Sequence, residues 1–374
     1  MSNNDWATRV AEVAPRLRER DAADAERYPA ENIADLKAIG LLTAPLAVGQ
    51  GGGGASLPEM AEVIEAIAAS SPSTALLVAM PLGLAGIYGQ GPSLAPEEHR
   101  GAWGEQVDRV TAEMQAGLIY AACNSERGAG GSLAATKTVA ERDADGVFRL
   151  SGEKILASFG RHADFFFSTG KVRPEDLAGA GIVELFRVPT GAEGVDVLSD
   201  WDGFGMRSTE SHTVRYERAP GALIGFPNFL AVAQPLSYWY CLFAAIPLGC
   251  ARGILTILSN PAPLSPGLRL RLSEALMRYE AMRAYVQATS TAWRPAAGPA
   301  YAARVLRTKT YISQEATKLC AELFALGGGR HYRRDGELAR LMASSFAGTA
   351  LRPPLTLAIE TMIEQFDMGE LAQG

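Results

Sequence analysis

The chain is short of the residue types that most often announce a site. Its 374 residues include only four cysteines and four histidines. The cysteines (Cys123, Cys241, Cys250 and Cys320) are scattered without a CxxC pair, so neither a metal centre nor a disulfide framework is expected. Basic residues are outnumbered, 35 Lys and Arg against 41 Asp and Glu, for a net charge of -6. That balance excludes the basic stripe of a nucleic-acid-binding surface. No uninterrupted apolar run reaches the roughly 18 residues of a membrane span. The N-terminal text MSNNDWATRVAEVAPRLRERDAADAERYP is polar and helical, without an apolar signal-peptide core. A cytoplasmic protein is therefore expected. The rest is ordinary globular composition, 48% hydrophobic and 20% charged, long enough for a large core and two or three domains.

Three stretches of different character divide the chain. Residues 1–118 carry helical periodicity, as in IADLKAIGLL and LPEMAEVIEAIA, with Pro29 and Pro58 near helix starts, where a missing N–H costs little. Residues 119–225 change to short runs rich in Val, Phe and Tyr, such as GVFRLSG, DFFFSTG, IVELFRV and HTVRYERA, punctuated by Gly and Asp. They predict a small antiparallel β domain. Residues 226–374 return to long helices. Helices, then strands, then helices predict an α+β fold, mostly α, in separate layers rather than an alternating βαβ sheet.

That order removes one attractive motif. GQGGGG at 49–54 contains GxGxxG and precedes a helix. A dinucleotide-binding turn needs a strand before it and an acidic residue about 20 positions on, inside a βαβ unit. Here a helix ending near Gly40 comes first, so a glycine loop before a helix is expected. A better ligand cradle lies at 120–171. Its turn SERGAGGS, with glycines 128, 130 and 131, permits backbone conformations and close approaches that a Cβ would block. LASFG, with Ser158, follows.

Several motifs in order carry a family resemblance over nearly the whole length. SERGAGGS (Ser125 to Ser132), LSGEKILASFGRHAD (Leu150 to Asp164), WDGFGMRSTES (Trp201 to Ser211) and LFALGGGRHYRR, ending at Arg334, are each similar to segments of the acyl-CoA dehydrogenase superfamily. The resemblance implies an N-terminal helical domain, a middle β-barrel domain and a C-terminal four-helix bundle. It implies a flavin, FAD or alternatively FMN, and a homo-oligomer, tetramer or dimer. The cofactor-binding residues it implies are Ser125, Gly130, Ser132, Ser158 and Gly328. Ser125 falls near the flavin pyrimidine edge and Ser158 near N5; hydrogen bonds to the ring edge tune a flavin. Residues 327–329 either reach a neighbouring subunit's dinucleotide or simply end a helix.

The departures from the family pattern concern its chemistry. A dehydrogenase of this type removes an α-proton with a glutamate. Counting along ARLMASSF places Arg352 opposite the usual glutamate, or Ala347 in a shifted register. Trp239 stands at the alternative site. None of these can take a proton at neutral pH. No Asp or Glu occurs between Glu337 and Glu360, nor between Glu217 and Glu274, so no misalignment by one residue restores the base. The usual Arg-x-x-Phe-Gly is replaced by LSNPAPLSPGLRL, and an Arg-Asp pair by Ala343 and Ser344, which weakens the grip on a pyrophosphate.

Other chemistry is open. His162 and His331 lie within motif segments and are candidate bases, or surface residues. Tyr238, Trp239 and Tyr240 form core packing or line a pocket. Arg207 is expected to hold the β domain against the bundle. Three function classes follow. The first is a flavin oxidoreductase acting on an acyl thioester without the usual base. The second is a monooxygenase of the same fold using reduced flavin, supplied by a reductase or electron-transfer partner. The third is a non-catalytic relative.

Overall fold

The computed structural model describes residues 5–260 and 264–367. Its N-terminal layer comprises α1 (Trp6–Ala23), α2 (Ala30–Ala38), α3 (Leu57–Ala68), α4 (Pro72–Tyr88) and α5 (Arg100–Gln115). Pro29 caps α2, and Pro58 occupies the first turn of α3, as their missing N–H groups predict. Ser56 starts α3 with a capping box, its backbone N–H donating to Glu59 Oε2 at 2.7 Å. Every residue of α4 is buried, so its sequence reads as apolar all round rather than amphipathic. No strand precedes Tyr120 among the described residues, and the 49–54 glycines form a loop ahead of α3.

The middle segment folds as β1 (Tyr120–Ala122), β2 (Val139–Arg142), β3 (Phe148–Ala157), β4 (Phe165–Lys171), β5 (Val183–Pro189), β6 (Val195–Val197) and β7 (His212–Ile224). Strand order β4-β2-β3-β7-β5 closes on itself because β5 also pairs β4, which makes a small barrel. The expected antiparallel pattern needs one correction. β1 and β2 both run parallel to β4, lying at the two ends of the edge that β5 leaves free.

The C-terminal helices are α6 (Phe229–Val232), α7 (Leu236–Ser259), α8 (Pro266–Thr291), α9 (Pro299–Leu326), α10 (Glu337–Ser345), α11 (Ala347–Ala350) and α12 (Leu355–Asp367). Three are long. The fourth position of the bundle is filled by α10 to α12, interrupted where Pro353 and Pro354 cannot continue a helix. The run FLAVAQPLSYWYC is likewise broken, at Pro235, into α6 and α7. Positions 261–263 of the proline-rich LSNPAPLSPGLRL lie outside the described residues.

α7 corrects the expectation that no segment is apolar enough to span a membrane. An 18-residue window within it has mean hydropathy 1.9. The count of uninterrupted apolar residues missed it, because Pro247, Gly249, Arg252 and Thr256 break the run. Of that window 83% is buried inside the protein, where α7 packs against α3, α8, α9 and α10.

Candidate active site

A cavity of about 300 Å³ opens where the barrel, α4, α7 and the broken fourth helix meet. Its barrel side brings Asn124, Ser125, Leu156, Ser158 and Thr169 together; its helical side brings Met80, Trp239, Tyr240, Phe243, Phe346 and Arg352. Aromatic walls dominate, with the Phe167 and Trp239 rings 5.4 Å apart and Phe204 set edge-on to Phe346 at 5.9 Å.

Local sequence explains how the walls meet. A Cβ on Gly83 of α4 would lie 2.1 Å from the Trp239 indole nitrogen, so only glycine admits that ring. The indole N–H then donates to Met80 O at 3.1 Å, which fixes the ring against α4. Across the cavity, Gly131 has φ +83, and a Cβ there would meet Pro354 Cδ at 2.3 Å. The SERGAGGS turn is thereby pressed against the segment that carries Arg352. Leu156 and Phe159 also take positive φ (59 and 72), an uncommon conformation for such residues that clusters at ligand sites.

Below the turn lies a buried ion pair. Lys154 Nζ donates to Glu126 Oε1 at 2.6 Å and to Thr169 Oγ1 at 3.1 Å, and Thr138 donates to the same carboxylate oxygen from its hydroxyl at 2.7 Å. Burial alone would raise the Glu126 carboxyl, but the ammonium and these donors hold it below the usual carboxylate range. Glu126 is therefore committed to shaping the turn and does not line the cavity.

Of the residues expected to bind cofactor, Ser125 and Ser158 line the cavity. Gly130 and Ser132 lie on the adjoining turn, outside the lining, with Leu133 reaching in instead. Gly328 is not brought to the cavity. It takes φ +72 and ψ 179 just past the cap of α9, a backbone shape open to glycine and distinct from the left-handed helical cap. Ser158 is buried, its hydroxyl 3.0 Å from that of Ser211, which is 2.7 Å from Thr209 Oγ1, which in turn donates to Met206 O at 2.8 Å. Thr209 spends its proton on Met206, so Ser211 donates to Thr209 and Ser158 to Ser211. Ser158 Oγ thus offers lone pairs to the cavity.

The alternatives for a base fare differently. Arg352 and Ala347 both line the cavity, as does Trp239. No Asp, Glu, His or Lys does so among the described residues. Glu360 and Glu364 are exposed on α12. His162 stacks on Tyr28 at 3.7 Å beside Glu210, and His331 accepts from Arg330, both away from the cavity. Tyr240 reaches it, but burial pushes the phenol up to about 12. The aromatic run splits: Trp239 and Tyr240 line the cavity, while Tyr238 packs over Gly86 in the core. Arg207 corrects another expectation, because its ion-pair partner is Glu26 after α1 rather than a bundle carboxylate.

Sequence reasoning missed Asn124 and Lys309. Asn124 Oδ1 is buried and has no hydrogen-bond partner, which leaves it accepting capacity beside the cavity. Lys309 of α9 donates to Leu351 O at 2.6 Å and Pro353 O at 2.7 Å, on either side of Arg352. Nothing in the sequence distinguishes either residue, because their roles arise from contacts across layers.

The barrel, the helical layers and this cavity coincide with a known family. Residues 7–93 match the family described as "Acyl-CoA dehydrogenase, N-terminal domain", and residues 121–219 match "Acyl-CoA dehydrogenase, middle domain". The chain belongs to the acyl-CoA dehydrogenase superfamily. Its curated relatives include a putative acyl-CoA dehydrogenase of Bacillus subtilis, 27% identical over 55% of this chain and 52% of that protein. A dibenzothiophene monooxygenase of Rhodococcus qingshengii is 30% identical over 66% and 57%. The chain spans about half the length of these relatives. Among solved structures, FMN-bound TdsC from Paenibacillus sp. A11-2 superposes with a TM-score of 0.79 at 20% identity, covering 96% of each chain. Names within this acyl-CoA dehydrogenase superfamily thus divide between dehydrogenases and monooxygenases.

The cavity fits a flavin. Unpartnered Asn124 Oδ1 can accept from a ring N–H, Ser125 and Ser158 supply hydroxyls, and Trp239, Phe167 and Trp201 supply flat apolar walls.

Proposed function

We propose that this chain is a flavin-dependent oxidoreductase that uses reduced flavin and oxygen on a small substrate, rather than one that dehydrogenates an acyl thioester. The observation that carries this reading is the set of side chains lining the cavity, which includes one guanidinium and no carboxylate, histidine or lysine among the described residues. Abstraction of an α-proton requires a base within reach, and guanidinium, indole and a buried phenol with its pKa near 12 cannot serve at neutral pH. A bound flavin, FMN or FAD, supplies the electron-transfer and oxygen chemistry; the chain's own residues bind, orient and exclude water.

Ser158 supports the same reading. An acceptor oxygen at this wall suits a ring N–H, which a reduced flavin carries and an oxidised one lacks at N5. Lost family anchors for the dinucleotide support FMN delivered reduced by a separate reductase in the cytoplasm. Exposed apolar side chains on α8 and α9, Leu270, Met277 and Tyr311, support a homo-oligomer.

Oxygen consumption tests the reading. Protein supplied with chemically reduced FMN and an aromatic substrate is expected to consume oxygen and hydroxylate or otherwise oxygenate that substrate. Product formed from an acyl-CoA without oxygen would instead establish the dehydrogenase reading, and neither activity would establish a non-catalytic relative.

A further inference from the structure

Arg352 is the single charged side chain lining the cavity, and among the described residues it makes no ion pair. One of its five donors is used, Nη2 to Asn124 O at 3.2 Å, and no other described group accepts from it. Such a charge facing apolar walls is costly unless a counter-ion meets it.

Its placement is built. Lys309 grips the carbonyls on both sides of it, at 2.6 and 2.7 Å, and Gly131 seats the β turn on Pro354 just beyond. Lys309 is itself buried and has no carboxylate partner among the described residues, whereas Lys154 is neutralised by Glu126. Arg352 is thus a cation at this wall without compensation, and the field in the cavity favours an anion. Beside the rings given to the flavin, the helical side adds Tyr240 and Phe243, a lining suited to a flat aromatic body.

We propose that Arg352 is a specificity-determining residue that anchors the carboxylate of a planar aromatic substrate, an aryl carboxylate. The position aligned with the family's base has become an anion anchor. This rests on the reading of the cavity as an oxidoreductase substrate site. A guanidinium pairs a carboxylate with two parallel hydrogen bonds, which fixes the ring's direction as well as its affinity.

The test compares 2-naphthoate with its neutral isostere 2-naphthamide, binding followed by quenching of tryptophan fluorescence, with and without FMN. Wild-type protein is expected to bind 2-naphthoate at least about tenfold more tightly, the scale of one charge-assisted pair. Arg352→Gln abolishes the preference, Arg352→Lys retains part of it, and Lys309→Met lowers it by releasing the segment. Equal binding of the two probes by wild-type protein overturns the proposal whether or not any variant folds, as does a preference that survives Arg352→Gln. If Arg352 serves the flavin instead, Arg352→Gln weakens FMN binding while the two probes bind wild-type protein equally, which also overturns it. FMN titration of wild-type protein is read separately: failure to bind FMN sinks the flavin reading, and the preference for carboxylate is unaffected by it.

Discussion

Ser158 shows how much function depends on which way a proton points. Its hydroxyl begins a chain through Ser211 and Thr209 that ends on Met206 O, so its lone pairs are left for the cavity. The family resemblance places this oxygen near flavin N5. An acceptor there stabilises the reduced ring relative to the oxidised one. Ser211→Ala frees the Ser158 proton and is expected to lower the midpoint potential of bound FMN, by about 30 mV for each tenfold change in relative affinity. Spectroelectrochemistry reads this directly, and an unchanged potential would remove Ser158 from the flavin edge. Ser125 and Ser158 were visible in the sequence as hydroxyls in glycine-containing turns. The direction of the relay was not, because Ser211 and Met206 lie 53 and 48 positions from Ser158.

The element that matters most is the broken fourth helix between α10 and α12. Its prolines stop the helix, and the connecting segment turns Arg352 inward. Two contacts hold it. Gly131→Ala would put a Cβ 2.3 Å from Pro354 and impose a side chain on a left-handed residue. It is expected to cost about 1–3 kcal/mol of stability, read as a lower denaturant midpoint at unchanged m-value. A midpoint equal to wild type would mean that the turn and this segment are not pressed together.

Lys309 gives the second contact a pH signature. Burial lowers its pKa from 10.5 to about 7 in the folded protein. Between those values the unfolded chain binds the proton and the folded one releases it, so this group makes stability rise as pH increases from about 7 to 10. Below pH 7 both states are protonated and the full burial penalty stands. Lys309→Met is expected to flatten that slope in thermal unfolding measured across this range. Equal slopes for variant and wild type would show that the amine is not desolvated. The helices themselves, their proline starts and the switch to short strands could be read from periodicity. The Lys309 clamp could not, since it joins α9 to a turn more than forty residues later.

For the whole molecule, two helical layers and a barrel converge on one cavity whose barrel side offers polar edges and whose helical side offers rings and a guanidinium. The fold was legible because several motifs occur in the family's order. The lack of carboxylates along two stretches was legible too, from windows without Asp or Glu. Cavity membership was only partly so: Ser125 and Ser158 stand out in the sequence, while Asn124 emerges only once β1 and the bundle are brought together. The most direct measurement is an anaerobic titration of FMN-loaded protein with a series of acyl-CoA thioesters, followed by flavin absorbance. Flavin that stays oxidised throughout is the predicted result, since no lining group among the described residues can take the α-proton; bleaching by any member of the series would contradict it.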